Sequence, residues 1–241
     1  SFNISKQPVL KKGRLGCFDD CAAIPSQVIK FKKKFYLFYV GWTQGSSVPY
    51  MSSIGLAVSK SINGKFKRVS EGPIFGRTKD DPIFVASCFV EKKGEKFCMY
   101  YTTNTNWRRI GKKFIPKYYL KYAESKNLID WKYKKKIMKF KSSKEIAVSR
   151  PWIIKINNIK KIFYSYRGKN YKIGYADINN KGKLLRKDNS IKIINSKDNF
   201  DTQMQEYASI IQYKKKFLMF YNGNKFGEKG IGLAVLKTKK K

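Results

Sequence analysis

Glu145-Ile146-Ala147-Val148-Ser149-Arg150-Pro151-Trp152, continued at Tyr164-Ser165-Tyr166-Arg167-Gly168, decides the reading of this chain. Polar residues lead into an apolar strand pattern, and a second strand returns to end on an arginine. The outline recurs before and after it with different polar residues at its two ends. Asp19-Asp20 precede Ala23–Ile29, and Phe35–Val40 returns to Gly41-Trp42. Asp80-Asp81-Pro82 precede Val85–Val90, and Lys96–Thr102 returns toward Thr103-Asn104. Asp201 and Glu206-Tyr207 precede Ala208–Gln212, and Phe217–Tyr221 returns to Asn222-Gly223-Asn224. Each pair is followed by a third strand, and three of these match: Ile54-Gly55-Leu56-Ala57, Ile173-Gly174-Tyr175-Ala176 and Ile231-Gly232-Leu233-Ala234.

A period of about 60 residues with about four short strands per unit predicts an all-β fold, a β-propeller. No segment keeps helical periodicity over three turns. No linker interrupts the repeats, so 1–241 reads as a single domain. Its units run roughly over 17–72, 80–140, 145–190 and 200–238, and 1–12 reads as a remnant strand of a preceding blade.

Composition narrows the chemistry. The 241 residues hold no histidine, which removes any His-dependent triad and leaves acid–base work to carboxylates, tyrosine or lysine. Cys17 and Cys21 have a metal-like spacing but lack companion ligands, and Cys88 and Cys98 sit in apolar strands, so neither a metal nor a cofactor is expected. Lys+Arg is 53 against 16 Asp+Glu, a formal charge of +37. Much of the excess is lysine in turns, such as Lys32-Lys33-Lys34, and at the tail, which is the pattern of a solvated surface. Nucleic-acid binding is therefore the weaker reading of the charge. No apolar run approaches the roughly 18–20 residues of a membrane span, and no signal peptide is recognisable, so the expected location is cytoplasmic, without membrane association. The chain opens on Ser1 rather than methionine, consistent with a missing or processed start.

In an antiparallel blade whose innermost strand runs first, the start of strand one and the end of strand two lie together near the axis. The unusual polar residues occupy those places. Asp20, Glu206 and Asp81 are the candidate catalytic carboxylates. Asp19, Trp42, Ser87, Arg150, Arg167, Asn222 and Asn224 are the candidate substrate-binding residues. Simpler roles compete: turn formation for Asp19, Asp20 and Asp81, hairpin chemistry for Asn222 and Asn224, and bracing of Glu145 or Glu206 for Arg150. Trp107 and Trp131 read as packing or surface aromatics.

Several motifs carry a resemblance: Gly16-Cys17-Phe18-Asp19-Asp20 with Ile24-Pro25-Ser26, Tyr39-Val40-Gly41-Trp42, Tyr122-Ala123-Glu124-Ser125, Ser149-Arg150-Pro151, Tyr164–Arg167 and Tyr221–Asn224 with Gly227. Together they resemble the five-bladed propeller glycoside hydrolase superfamily, which includes family-43 enzymes, invertases and mannoside phosphorylases. They look most like an uncharacterised group associated with surface glycans. The resemblance implies five blades, the first mostly absent here. It implies a supporting Asp at Asp20, while the superfamily's first-blade Asp has no counterpart and the expected acid position offers Asp80, Asp81 and Ser87. The expected function is a glycosidase-like activity, hydrolytic or phosphorolytic, on a carbohydrate that the two arginines would make anionic. The alternative is a glycan-binding propeller without turnover.

Overall fold

A computed structural model describes residues 5–179, 182–191, 193–194 and 198–236. The chain forms two compact units, one of Ser1–Lys117 with Lys121–Lys135, the other of Tyr118–Leu120 with Lys136–Lys241. In the first unit, β1 (Ala22–Phe31), β2 (Lys34–Gln44), β3 (Tyr50–Ser59) and β4 (Lys67–Arg68) pair in sequence order. β5 (Phe84–Lys93), β6 (Lys96–Ile110) and β7 (Lys113–Ser125) follow, with β8 (Lys132–Lys136) on β7. In the second unit, β9 (Ala147–Ile156), β10 (Ile159–Arg167), β11 (Tyr171–Ile178) and β12 (Leu184–Arg186) form one meander. β13 (Glu206–Tyr213), β14 (Lys216–Asn222) and β15 (Ile231–Leu236) form the other. The expected all-β class and the strand repeat are what the structure has.

Two details differ from expectation. Residues 5–12 form no strand, although Leu10 is buried among Leu37, Tyr39, Ala57 and Phe66; Ser1–Ile4 and the lysine tail lie outside the described residues. The second strand of the second meander does not stop near Thr102 but runs to Ile110. Thr103-Asn104-Thr105-Asn106 looks like a loop because it is polar, yet it continues as a hairpin arm that aromatic contacts hold.

Alternation builds the core. On β2, Leu37 and Tyr39 face one cluster, while Phe38 faces another with Ile54, Leu56, Val85, Met99 and Tyr101. In the second unit Phe163, Ile173, Ile210, Met219 and Tyr221 form the equivalent core, with Phe200 added from the entry loop. Each innermost strand also carries a β-bulge, at Ser26, Ser87, Arg150-Pro151 and Tyr207-Ala208.

The matched glycines have one physical explanation. Gly55 pairs across the sheet with Tyr39, Gly174 with Tyr164 and Gly232 with Tyr221. Each tyrosine lies over its glycine, so a Cβ at Gly55 would stand 2.2 Å from Tyr39 Cζ, and one at Gly232 would stand 2.9 Å from Tyr221 Cζ. The phenol passes over the glycine to reach a buried aspartate. Tyr39 donates to Asp19, Tyr101 to Asp81, Tyr164 to Asp188 and Tyr221 to Asp201. In the second meander Lys121 stands at the glycine position of Leu120-Lys121-Tyr122-Ala123, and its Nζ reaches Asp81 itself. Gly55→Ala is expected to lose about 1–3 kcal/mol through overpacking. Urea denaturation measures this, and an unchanged midpoint would show that Tyr39 can move aside.

Candidate active site

The aspartates at the blade entrances are committed to the fold. Asp19 is fully buried; its Oδ2 accepts from Tyr39 at 3.2 Å and from Arg68 Nε and Nη2 at 2.8 and 2.6 Å. Asp81 is fully buried too, with Oδ2 accepting from Tyr101 at 2.8 Å and Oδ1 from Lys121 at 2.9 Å. In these pairs burial first, and the carboxylate second, pushes the Tyr39 and Tyr101 phenols far up, so both remain donors. The third meander is irregular. Glu145 takes the entrance position, but the tyrosine partner is Asp188, and Arg186 joins the two carboxylates, 2.6 Å from Glu145 Oε1 and 3.0 Å from Asp188 Oδ2. Burial opposes the Arg186 charge, but the Glu145 hydrogen bond and the surrounding negative groups outweigh it and raise the Arg186 pKa.

The remaining candidates divide. Ser87 shares a buried hydrogen bond with Thr102 at 3.2 Å. Asn224 Oδ1 accepts from the Gln203 and Met204 N–H groups and its Nδ2 donates to Asn199, so it clamps the loop before β13. Asn222 closes the turn after β14 by donating to Phe226. Trp42 is 37% exposed and stacks on Tyr50. Trp152 donates to Ile210 and packs against the second-unit core. Asp20 is half-buried, and its Oδ2 accepts from the Gly16 N–H at 3.0 Å. That bond, then the Thr43 hydroxyl, holds the carboxyl below its ordinary range, so it is ionised at neutral pH.

Glu206 behaves in the opposite way. It opens β13 opposite Asn222 and is fully buried; neither carboxyl oxygen makes a hydrogen bond of good geometry among the described residues, although the Tyr207 side chain stands close enough to act on it. Burial pushes its pKa up to about 8, against smaller downward pulls from the Tyr207 side chain and the Arg167 charge. It therefore carries a proton at neutral pH. Around it lie other polar groups that the fold leaves unused. Arg167, at the end of β10, stacks its guanidinium over Tyr171 at 4.9 Å while its buried Nε is unpaired among the described residues. The Ser149 hydroxyl is likewise buried and unpaired; Ser149 pairs in register with Ser165, whose hydroxyl accepts the Tyr207 N–H at 2.8 Å. Arg150 and Tyr207 hold positive φ, 53° and 59°, at the bulges beside this cluster. Such backbone is costly for a non-glycine residue and sets where the flanking side chains point. Among the described residues, no three Cys, Asp or Glu side chains gather as metal ligands would.

The comparisons with known proteins bear on what such a cluster serves. No family model matches the chain. The uncharacterized protein Rv1502 of Mycobacterium tuberculosis is 28% identical over 240 residues, covering 98% of this chain and 78% of its own length. Among solved structures, a complex of BT0996 with RGII matches 95% of this chain and 73% of that one, at TM-score 0.72 and 19% identity. A thermostable family-43 glycoside hydrolase matches 90% and 72%, at TM-score 0.64 and 18% identity. The fold is that of the glycoside-hydrolase β-propellers. An endo-arabinase from Bacteroides thetaiotaomicron shares the propeller as well, at TM-score 0.58 and 15% identity over 90% of this chain and 75% of that one.

The buried Asp–Tyr pairs of this propeller had a sequence signal. Asp19–Tyr39, Asp81–Tyr101 and Asp201–Tyr221 each span twenty residues. The cations on the first two, Arg68 and Lys121, and Arg186 on Asp188, had none beyond their place in strands three and four.

Proposed function

We propose that the chain is a carboxylate-dependent glycosidase in which Glu206 is the general acid. The observation that carries this is a fully buried carboxyl, without a hydrogen bond of good geometry among the described residues, whose pKa is pushed to about 8. Cleavage of a glycosidic bond needs a proton delivered to the departing oxygen, and a carboxyl kept neutral by an apolar site is how glycosidases supply it. Arg167 with Ser149, in the same unit as Glu206, suits the binding of a polar or anionic sugar. Asp81, whose two oxygens serve Tyr101 and Lys121, and Asp19, whose Oδ2 serves Tyr39 and Arg68, are better read as structural. The fold shared with glycoside hydrolases supports a carbohydrate substrate.

The engagement of Asp19 and Asp81 favours a second reading, a glycan-binding propeller without turnover. One assay separates them. Neutral and acidic oligosaccharides are incubated with the protein, with and without inorganic phosphate, and reducing ends or sugar phosphate are measured. Release is expected, with Glu206→Gln lowering it by roughly a hundredfold or more. Binding of the same oligosaccharides without release would favour the second reading.

A further inference from the structure

The hairpin arm of the second meander is longer than its counterparts. β6 and β7 have 15 and 13 residues, whereas β2 and β3 have 11 and 10, and β10 and β11 have 9 and 8. The arm is held rigidly at its base, where Asn104 Oδ1 accepts from both the Asn106 and Lys117 N–H groups. Its sequence is aromatic and basic. Trp107 packs edge-on against Tyr50 at 5.2 Å, and Tyr50 stacks on the exposed Trp42 at 4.6 Å with the planes 4° apart. Arg109, two residues from Trp107 and so on the same strand face, lies over the Phe114 ring at 5.6 Å. Among the described residues, neither Arg109 nor its neighbours Arg108, Lys112 and Lys113 forms an ion pair. The Trp107 Nε1 is buried without a hydrogen-bond partner among them.

We propose that this arm and the Trp42–Tyr50 stack form a binding subsite for the carboxylated sugar units of an acidic glycan, built from residues other than those of the Glu206 cluster. An indole face suits the apolar face of a sugar ring, the unpaired Trp107 N–H suits one of its oxygens, and cations without carboxylate partners on the same arm suit its carboxylate. The glycan reading supplies the ligand class, but the subsite does not depend on Glu206 as an acid.

The test uses Glu206→Gln protein, so that binding is read without turnover. Tryptophan fluorescence and calorimetry follow titration with a uronic-acid oligosaccharide and with its carboxyl-reduced, neutral form. The acidic form is expected to bind about tenfold more tightly, with affinity falling as salt is added. Arg109→Gln should reduce that preference several-fold while leaving neutral binding in place. Trp107→Phe, which keeps a ring but removes the N–H, should weaken both forms several-fold. Equal affinity for both forms, or acidic-form binding that neither variant changes, would overturn the proposal, as would absence of binding. Sugar release by the parent protein is read separately. If release is seen but this binding pattern is not, the subsite fails and the Glu206 reading stands; the reverse result leaves the subsite and removes the acid.

Discussion

Glu206→Gln is expected to slow sugar release by roughly 10²–10⁴-fold, the contribution of a positioned general acid. It is also expected to change how stability depends on pH, because the carboxyl titrates differently in the two states. Its folded pKa, about 8, lies above the ordinary 4.5 of the unfolded chain. The folded state therefore holds this proton more tightly. The stability that the group contributes is fully present below about pH 4.5 and is lost as pH rises through about 8. The loss accumulates between about pH 4.5 and 8, where the unfolded chain has already ionised, and reaches on the order of 5 kcal/mol. Denaturation midpoints of the parent should fall across this window relative to those of Glu206→Gln, which has nothing to titrate there. Parallel curves for the two proteins would show that Glu206 is hydrated and ordinary. The same ionisation should reduce activity above about pH 8, since the acid would then be missing its proton.

Arg186→Met carries the second large effect, on stability. Arg186 is the shared partner of Glu145 and Asp188, whose side chains are only 7% and 3% exposed. Asp188 would keep Lys141 at 2.8 Å and Tyr164, but Lys141 is 48% exposed and Glu145 would keep, among the described residues, only the Lys141 backbone N–H. Removing one member of a buried charge cluster costs about 3–5 kcal/mol, because the remaining charges stay desolvated. Urea denaturation checks this. Adding Glu145→Gln to Arg186→Met should recover part of the loss, since it removes the charge left unpaired. A loss below about 1 kcal/mol would mean that water enters to replace the guanidinium.

Much of this architecture was legible in the chain. The matched segments Ile54–Ala57, Ile173–Ala176 and Ile231–Ala234 mark the third strands because in these three meanders a glycine lies under the tyrosine that crosses to its aspartate. Periodicity of two and turn residues located the rest. Sequence could not tell which way an entrance carboxylate points. Asp19 and Asp81 stand where an axial pocket would draw its acids, yet both turn toward tyrosine and a cation that arrive from strands two, three and four. Asp201 holds the corresponding place in the last meander and accepts from Tyr221, whereas Glu206 lies further along the chain, opposite Asn222, and makes no hydrogen bond of good geometry through its carboxyl oxygens among the described residues. The arm beyond Thr102 was missed because its polar start mimics a loop, and Trp107 was consequently read as packing or surface decoration.

The most direct test of Glu206 as the proton donor uses two glycosides of whichever sugar the release assay identifies. One has an alcohol leaving group, which needs protonation, and the other a nitrophenolate, which does not. Glu206→Gln should lose at least about a hundredfold on the first and less than about tenfold on the second. An equal loss on both, or no loss on either, would contradict the account.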